Sequence, residues 1–360
     1  MNAPVPIEAE QAQVFLPATS RTIVIVTDAW HPQVNGVVRT LSKTCEVLRG
    51  WGHEVSVISP DQYRNFPAPS YPEIRLALTA PGAVGRRLKE LNPDAVHIAT
   101  EGPLGFAARR YCVNQDVPFT TAYHTQFPDY LARRTHLPAD LFWPYIRWFH
   151  RPSQNIMVAT ETIRAQLRAQ KLTHLVHWSR GVDLSCFSPK APRPVEYDGL
   201  EGPILLYVGR VAVEKNIEAF LTCDYPGTKV VVGDGPARAS LEARFPDAKF
   251  MGKHMGEELA GFYAHADVFV FPSKTDTFGL VMIEALACGT PVAAYPVPGP
   301  LDIIEESVGA LSDNLARAID AARYCERGEC ARFGARYSWE AASEQFLNGL
   351  AELDSPSNRT

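Results

Sequence analysis

Residues 267–295, DVFVFPSKTDTFGLVMIEALACGTPVAAY, contain the pattern that decides the fold. The segment begins with DVFVFPS, a short run of β-branched and aromatic residues that is typical of a buried strand. FGLVMIEALACG follows with the length and composition of a helix, and PVAAY has the pattern of another short strand. A strand, a helix and a strand in this order predict a parallel sheet with helices packed on its faces.

The same alternation of strands and helices occurs in two stretches of the chain. The first runs from TIVIVTD, residues 22–28, to about residue 180, and the second begins at ILLYVGR, residues 204–210. Between them lies CFSPKAPRPVEYDGLEGP, whose four prolines and two glycines are typical of an interdomain linker. The pattern predicts two doubly wound α/β domains with a cleft between them, where ligands bind at the carboxyl ends of the strands.

The predicted domain boundaries follow these changes of pattern. Residues 1–20 have little periodic apolar pattern and are interpreted as a disordered leader. Residues 21–188 form the predicted N-terminal domain, 189–202 the linker and 203–336 the C-terminal domain. Residues 337–356 include SWEAASEQFLNGLAEL, an amphipathic pattern that predicts one last helix.

Composition and charge limit the classes of function. The net charge of -5 over 360 residues does not indicate a nucleic-acid partner. The first 190 residues carry 20 basic and 15 acidic side chains, whereas the rest carry 15 and 25. An excess of positive charge in the first half suits anionic phosphates or lipid head groups, although chance explains it equally well.

The sequence also predicts a compartment. Its seven cysteines are scattered and include no CxxC pair, which argues against a disulfide framework or a zinc site and for a reducing compartment. The amino-terminal residues lack the basic and apolar regions of a signal peptide, and no apolar run approaches the roughly 20 residues of a membrane span. We therefore expect a cytoplasmic protein that touches a membrane without crossing it.

Basic and glycine residues after predicted strands are the first candidates for a binding site. Gly209 ends a strand and allows close approach of a ligand, and Arg210 and Lys215 follow near a helix start. An arginine fork and a lysine point charge suit a diphosphate, whereas the alternative is a solvated basic loop. Asn35-Gly36 is predicted to be a tight turn that tolerates a positive φ and opens a helix whose free N–H groups can bind an anion.

Two carboxylates eight positions apart are the second group of candidates. Asp276 and Glu284 flank Phe278, Gly279 and Leu280, which are predicted to open a helix with unsatisfied N–H groups. At a rise of about 1.5 Å per residue, the carboxylates lie at most ~12 Å apart. This spacing suits hydroxyl-rich units on both sides of a phosphate pair, such as a hexose and a ribose. The apolar neighbours of Glu284 argue against the alternative of a solvent-facing acid.

His124 follows the predicted strand TTAY and is the remaining candidate for chemistry. A lone histidine is more often a structural hydrogen-bonding group, but its position at the carboxyl end of a strand makes a functional role equally plausible. The sequence contains no HExxH, GxSxG or P-loop motif and no DxD pair at a strand end, so we expect neither a metal nor a nucleophile. Neutralisation of an anion then depends on Arg210, Lys215 and helix termini.

Residues 139–152, ADLFWPYIRWFHRP, combine aromatic residues with arginines. This mixture is typical of a segment at a membrane interface, and Arg133-Arg134 lies just upstream. The alternative is that the aromatic residues form ordinary core between helices. The candidate membrane or acceptor residues are Trp143, Arg147, Trp148 and Arg151.

From about residue 22 to residue 350, the chain resembles the retaining glycosyltransferases of family 4, which have the GT-B fold. The most specific match is the family's acid-x7-acid motif, here Asp276 and Glu284, although the family more often has Glu first. GRVAVEKN resembles the donor-phosphate loop, and GDGP and FMGK resemble loops near the nucleobase, which adds Gly233 and Lys253 as possible donor contacts. The amino-terminal loop, usually Gly-Gly, is Asn-Gly here.

Four segments resemble one branch of this family more closely. TDAWHPQVNGVVRT, AYHTQFPDYL, RGVDLSCFSP and SKTDTFGLVMIEALA are similar to the bacterial GDP-mannose-dependent mannosyltransferases and the sulfoquinovosyl- and glycosyl-diacylglycerol synthases. The third segment adds Arg180 as a possible site residue. The resemblance implies two Rossmann-like domains facing across a cleft, with a C-terminal helix that crosses back to the first domain.

The resemblance also implies an activity. A hexosyl unit passes from a UDP- or GDP-sugar to a lipid such as diacylglycerol at the cytoplasmic membrane face, with retention of configuration and without a metal or cofactor. It implies that Arg210 and Lys215 stabilise the leaving diphosphate, that His124 and Asp276 contact the donor sugar, and that Glu284 holds the ribose. Alternatives are a soluble or polyprenyl-linked glycan acceptor and a UDP-sugar 2-epimerase of the same fold. The nucleotide, the sugar and the oligomeric state are not predicted.

Overall fold

The structure is a computed structural model. It describes residues 20–33, 35–68, 71–80, 82–124, 128, 137–274, 276 and 278–351. The predicted leader lies outside the described residues apart from Ser20, and Arg133 and Arg134 also lie outside them.

The first half of the chain forms a parallel sheet with helices on its faces. Six described strands lie in the order β2-β1-β5-β6-β7-β8, and β3 pairs with β4 in a separate antiparallel hairpin. The strands are β1 (Thr22–Val26), β2 (Glu54–Ile58), β3 (Arg64–Ala68), β4 (Tyr71–Leu78), β5 (Ala95–Ile98), β6 (Thr120–Ala122), β7 (Ile156–Val158) and β8 (Leu175–His177). The described helices are α1 (Gly36–Gly50), α2 (Ala83–Leu91), α3 (Pro103–Asn114), α4 (Trp143–His150) and α5 (Glu161–Ala169).

The second half repeats this architecture. Its six described strands are all parallel and lie in the order β11-β10-β9-β12-β13-β14. They are β9 (Ile204–Val208), β10 (Thr228–Val232), β11 (Lys249–Gly252), β12 (Val268–Phe271), β13 (Val292–Ala294) and β14 (Gly309–Leu311). The helices before the last one are α6 (Ile217–Leu221), α7 (Arg238–Arg244), α8 (Gly256–Ala264), α9 (Leu280–Ala287), α10 (Pro300–Ile303), α11 (Leu315–Ala322) and α12 (Arg327–Gly334).

The last helix, α13 (Trp339–Gly349), returns to the first half of the chain. Phe346 is buried there, with its ring 4.9 Å from that of His97 and 4.8 Å from that of Trp178. The Gln345 side chain accepts a hydrogen bond from the Ser179 N–H group at 2.8 Å. Two parallel α/β domains joined by a returning C-terminal helix confirm the predicted GT-B fold class.

The strands are buried because their sequences are continuously apolar, as expected for parallel strands covered on both faces. Residues Ile204 to Val208, for example, are all buried. The β3–β4 hairpin was not predicted, because prolines at 67, 69 and 72 argue against a strand unless it lies outside the main sheet. No helix among the described residues is both long and apolar enough to cross a bilayer.

The turn-rich segment between the two sheets is packed against the second domain. The Tyr197 side chain is fully buried, and its hydroxyl group donates to the carbonyl oxygen of Phe262 at 2.9 Å. A side-chain contact joins the domains elsewhere, where Asp302 accepts hydrogen bonds from the N–H and hydroxyl groups of Thr162 at 2.8 and 2.9 Å. The linker is thus part of the packed second domain, and Asp302 and Thr162 connect the two domains.

Candidate active site

The candidate residues lie where parallel strands end. His124 follows β6 and Arg180 follows β8 in the first sheet. Arg210 follows β9, the central strand that neighbours β10 and β12, and Asp276 follows β12. The carboxyl ends of the strands therefore bring the predicted residues to the edge of each sheet at which doubly wound proteins bind ligands.

Two helix N-termini, one from each domain, meet across the cleft. A Cβ atom added to Gly36, the first residue of α1, would lie 3.9 Å from the Cδ1 atom of Leu280, the first residue of α9. The N–H groups in the first turn of a helix have no acceptor within that helix, and each helix dipole is positive at this end. The space near these two ends is therefore suited to an anion.

The start of α1 differs in detail from the prediction. Asn35 has φ -150° and ψ 170°, so it is extended, and its side chain accepts a hydrogen bond from the Val38 N–H group at 3.0 Å. The predicted turn with positive φ is thus wrong: Asn35 is an N-cap, and Gly36 begins the helix. Neither a positive φ nor a close contact requires glycine at position 36, because a Cβ atom there would meet Leu280 at an ordinary van der Waals distance.

The start of α9 is also shifted from the prediction. The helix begins at Leu280, and Gly279 precedes it in a left-handed conformation with φ 86° that favours glycine. Phe278 is outside the helix, and its side chain is buried with the ring 6.1 Å from that of Tyr337. The prediction that Phe278 opens the helix is therefore wrong, and its side chain stabilises the core beneath the loop.

Lys215 and Asp276 form an ion pair at the edge of the second sheet. Lys215 ends a short 3-10 helix, Val213–Lys215, and its Nζ atom lies 2.5 Å from the Oδ1 atom of Asp276. Both side chains are about one quarter exposed, at 26% and 24%. The other carboxylate oxygen, Oδ2, is buried and accepts no hydrogen bond from the part of the chain that the structure describes. One oxygen of Asp276 thus remains available to a hydroxyl group.

Glu284 is a buried acid between the domains. It lies on α9 with 3% of its side chain exposed, which agrees with the inference from its apolar neighbours. Its Oε2 atom accepts a hydrogen bond from the Tyr263 hydroxyl group at 3.1 Å, and the Tyr263 pKa is raised well above 10, first by burial and then by Glu284. Its Oε1 atom lies 2.6 Å from the Nη1 atom of Arg39, which comes from α1 in the other domain.

Neither partner of Glu284 was predicted from the sequence. Arg39 lies three residues after Gly36, one helical turn along α1, so its position on the cleft side was readable from helical spacing. Tyr263 lies on α8, 21 residues before Glu284, and no local pattern links the two. A sequence signal could thus have placed Arg39 at the cleft, but not in contact with Glu284.

Glycines bring the loops after β9, β10 and β11 together. Gly209 and Gly233 have φ values of 148° and 141°, and a Cβ atom on Gly233 would lie 1.9 Å from the carbonyl oxygen of Gly209. The Gly233 N–H group donates to Gly252 at 2.7 Å, and Lys253 follows as an exposed residue. The loop contact thus requires glycine at 233, whereas Gly209 is favoured by its own φ and by the Tyr207 hydroxyl oxygen, which would lie 2.9 Å from a Cβ atom there.

Arg210 extends into solvent beside these loops. Its side chain is 56% exposed, and its Nη1 atom is 3.9 Å from the Oε1 atom of Glu214, too far for a strong ion pair. Its carbonyl oxygen accepts a hydrogen bond from the Tyr207 hydroxyl group at 3.0 Å, which fixes the backbone. The main chain of Arg210 is thus held while its guanidinium group remains available to a ligand.

His124 is half-buried and contacts Arg180. The Nη2 atom of Arg180 lies 2.9 Å from Nδ1 of His124, and the Trp178 ring stands edge-on at 5.3 Å. The pKa of His124 is lowered well below 6.5, first by burial and then by the charges of Arg180, His97 and His150. His124 is therefore neutral at physiological pH.

The described cavity of about 230 Å³ lies at the point where the chain returns to the first domain. Arg180 lines it together with His177, Glu305, Arg336, Tyr337 and Gln345, among others. Neither Asp276 nor Glu284 is part of its lining. Among the described residues, no three His, Cys, Asp or Glu side chains are grouped closely enough to hold a metal ion.

The predicted membrane residues divide into buried and exposed ones. Trp143 is 5% exposed and stacks on Tyr123 with ring centroids 6.3 Å apart, so the prediction that it contacts a membrane is wrong. Trp148 is 43% exposed, lies 5.6 Å from the exposed ring of Phe106, and is covered on one face by the Arg109 guanidinium group at 3.6 Å.

The two arginines of this segment also differ. Arg151 is exposed, whereas Arg147 is half-buried and donates to the Gln170 side chain at 2.7 Å. The exposed members of the predicted group are thus Trp148 and Arg151. They lie at the end of α4, on the first domain.

Comparisons with known proteins identify the class. Residues 34–185 match the family model described as Glycosyltransferase Family 4, and residues 202–325 match that described as Glycosyl transferases group 1. A sucrose-phosphate synthase structure from Thermosynechococcus elongatus has a TM-score of 0.73 at 22% identity and covers 91% of this chain and 98% of its own. This likeness supports the two-domain GT-B fold.

Curated relatives define the family and its branch. A GDP-mannose-dependent alpha-mannosyltransferase of Mycobacterium tuberculosis is 34% identical over 78% of this chain and 81% of its own length. A sulfoquinovosyl transferase of Arabidopsis thaliana is 32% identical over 79% and 61%. An alpha-monoglucosyldiacylglycerol synthase of Streptococcus pneumoniae is 26% identical over 82% and 77%. The chain belongs to glycosyltransferase family 4, as the resemblance predicted.

Proposed function

We propose that this glycosyltransferase moves a hexosyl unit from a UDP- or GDP-sugar to a lipid such as diacylglycerol, with retention of configuration and without a metal ion. The observation that carries the proposal is the meeting of two helix N-termini, at Gly36 and Leu280. Lys215 pairs with Asp276, four residues before Leu280. The diphosphate of a nucleotide sugar is an anion that needs such positive groups, and it lies between a ribose and a hexose.

The chemical step depends on stabilising the leaving diphosphate. Negative charge grows on it as the glycosidic bond stretches, so groups that interact more strongly with the transition state than with the ground state increase the rate. Lys215, Arg210 and the two helix ends supply these interactions. Retention follows a front-face route in which a phosphate oxygen takes the proton of the acceptor hydroxyl group.

The carboxylates hold the two sugars of the donor. Asp276 accepts from hexose hydroxyl groups through its free oxygen, while its other oxygen stays with Lys215. Glu284 accepts from the ribose hydroxyl groups, after exchanging its contact with Arg39. Neutral His124 donates a hydrogen bond to the transferred sugar. These roles make the acids binding groups rather than a general acid and base.

The lipid acceptor is supported by the named activity of one relative and by the exposed aromatic pair on the first domain. The relative from Streptococcus pneumoniae is named for a diacylglycerol product. Trp148 and Phe106 are adjacent and exposed, and Arg151 lies nearby in sequence. Aromatic residues with arginines suit contact with anionic head groups at the inner face of the membrane.

Release of nucleoside diphosphate from a panel of UDP- and GDP-sugars, with a lipid extract as acceptor, tests the activity. Lys215→Ala and Arg210→Ala should each reduce kcat by about 10²- to 10³-fold, as expected for groups that stabilise developing charge. Lys249→Ala removes an exposed lysine on β11 and is the matched control, with unchanged kcat. Near-normal turnover in both site variants would refute the assignment.

The remaining parts of the proposal have separate tests. The anomeric coupling in the product reports retention, and unchanged turnover in excess EDTA reports independence of metal. If a glycan product formed and no glycolipid did, the lipid acceptor would be refuted and the soluble acceptor supported. Sedimentation with phosphatidylglycerol vesicles should fall for Trp148→Ala but not for Tyr324→Ala, which removes an exposed aromatic residue on the other domain. Wild-type protein that stays unbound at low salt would remove the membrane part.

A further inference from the structure

Arg180 is a buried cation that has no acidic partner in the described part of the chain. Its side chain is 8% exposed, and burial lowers its pKa to about 10. It forms no ion pair with a described carboxylate, Glu305 of the same cavity included, and no acid contributes to the shift of its pKa. A buried charge without a counter-charge is costly, so the groups that contact Arg180 must stabilise its charge instead.

The contacts of Arg180 are three acceptors. Its Nη1 atom donates to the carbonyl oxygens of Trp178 and Ser179, both at 3.2 Å. Its Nη2 atom lies 2.9 Å from Nδ1 of His124. The carbonyl groups hold the guanidinium plane in place, so that Nη2 is presented to the histidine ring in a fixed direction.

The contact with His124 determines where the ring carries its proton. A guanidinium group has only donors, so the Nδ1 atom of His124 must accept. In a neutral imidazole the other nitrogen, Nε2, then carries the hydrogen. The contact with Arg180 and the edge-on Trp178 ring fix the orientation of this N–H group.

The Nε2 atom of His124 is a buried donor that needs an acceptor. It has no hydrogen-bond partner among the described residues, although it is shielded from solvent. Buried polar groups are nearly always paired, and an unpaired one at a candidate active site points to a missing ligand atom. An oxygen that can accept, such as a sugar hydroxyl group, fits this position.

We infer that Arg180 is a positioning residue that keeps His124 in its Nε2–H form, so that His124 serves the reaction as a hydrogen-bond donor and not as a base. The assignment of the acceptor as a hydroxyl group of the donor sugar rests on the proposed function. The ring state itself does not, because it follows from Arg180 and His124 alone. The inference about the His124 ring and the proposed glycosyl transfer can therefore be refuted independently of each other.

Nitrogen NMR of the full-length protein labelled with [¹⁵N]histidine tests the ring state. In the wild type, His124 should show protonated Nε2 and unprotonated Nδ1 from pH 5 to 8, with its signals assigned by their loss in His124→Asn. In Arg180→Met, the ring should lose this single form and titrate closer to 6.5, because the charge of Arg180 no longer opposes its protonation, while the burial that lowers its pKa most stays. Arg180→Lys should restore the wild-type form, since an ammonium group also donates.

The matched control is Arg109→Met. Arg109 is equally buried but donates to the carbonyl oxygens of Phe149 and Trp148, so its loss should leave the His124 signals unchanged. Thermal unfolding confirms that each variant is folded. A wild-type ring protonated at Nδ1, or identical spectra for the wild type and Arg180→Met, would overturn the inference.

A double-mutant cycle tests whether Arg180 acts through His124. Arg180→Met should lower kcat by about 10- to 100-fold in the wild type but less than about 3-fold in His124→Asn, because the same interaction is then already lost. Additive losses would overturn the positioning role, whatever the NMR shows. If the wild type showed no transfer activity, the proposed function would be refuted. The protonation state of the His124 ring would still be decided by the NMR experiment.

Discussion

Replacing Arg39 by methionine should strengthen the binding of a nucleoside diphosphate. The Nη1 atom of Arg39 lies 2.6 Å from the Oε1 atom of Glu284, so it occupies the oxygen that the proposal gives to the ribose. Arg39→Met keeps the length of the side chain and removes the competing charge. Ribose then meets a buried carboxylate whose described protein partner is Tyr263.

The size of the effect follows from the exposure of the pair. Two unit charges about 4 Å apart attract by about 4 kcal/mol near a protein surface, but exposed pairs contribute only about 0.2–1 kcal/mol after screening and loss of side-chain entropy. Arg39 is 40% exposed and Glu284 is 3% exposed, which places this pair between the exposed and buried limits. A value of about 1 kcal/mol corresponds to a roughly fivefold lower Kd.

Isothermal titration calorimetry with UDP and GDP measures this change directly. Arg39→Lys keeps the charge and should remain close to the wild type. Lys43→Met on the same helix breaks an exposed pair with Glu46 and controls for a lost surface charge. Weaker binding by Arg39→Met than by both controls would show that Arg39 attracts the diphosphate, and the competition argument would then be refuted.

Two further predictions concern stability. Gly233→Ala should lower Tm, because the new Cβ atom would lie 1.9 Å from the carbonyl oxygen of Gly209 at a φ of 141°, whereas Gly50→Ala meets open space and should not lower it. His97 is buried with its pKa lowered to about 3, so below pH 6.5 the unfolded chain binds a proton that the folded chain does not. Stability should therefore fall by up to about 1.4 kcal/mol per pH unit from pH 6.5 towards pH 3. Urea unfolding of His97→Asn should show a smaller slope over this range, and an unchanged slope would contradict the assignment to His97.

The fold was predictable because parallel strands are buried on both faces and leave continuous apolar runs in the sequence. The rule that ligands bind at the carboxyl ends of strands then located His124, Arg210 and Asp276 without any knowledge of their contacts. Errors arose where local geometry depends on packing. Phe278 lies outside the helix that its sequence resembles, because Gly279 adopts a left-handed conformation and the Phe278 ring enters the core.

The remaining misses are contacts between distant residues. Arg39 and Glu284 are 245 positions apart and lie in different domains, so no periodicity connects them. Trp143 and Trp148 share one aromatic segment, yet one is core and the other is exposed. Helical spacing separates these two faces, but only packing shows which face meets solvent.

The two ion pairs at the candidate site differ in what a ligand must change. Lys215 and Asp276 belong to the same domain, so a diphosphate and a sugar hydroxyl group can engage them without moving one domain relative to the other. Arg39 and Glu284 belong to different domains, so a ribose that takes Glu284 also removes a contact across the cleft. By thermodynamic linkage, a ligand that competes with Arg39 for Glu284 weakens this contact between the domains, and loss of the contact strengthens binding of that ligand at Glu284. On the proposed function, donor affinity and cleft geometry are therefore coupled through Arg39.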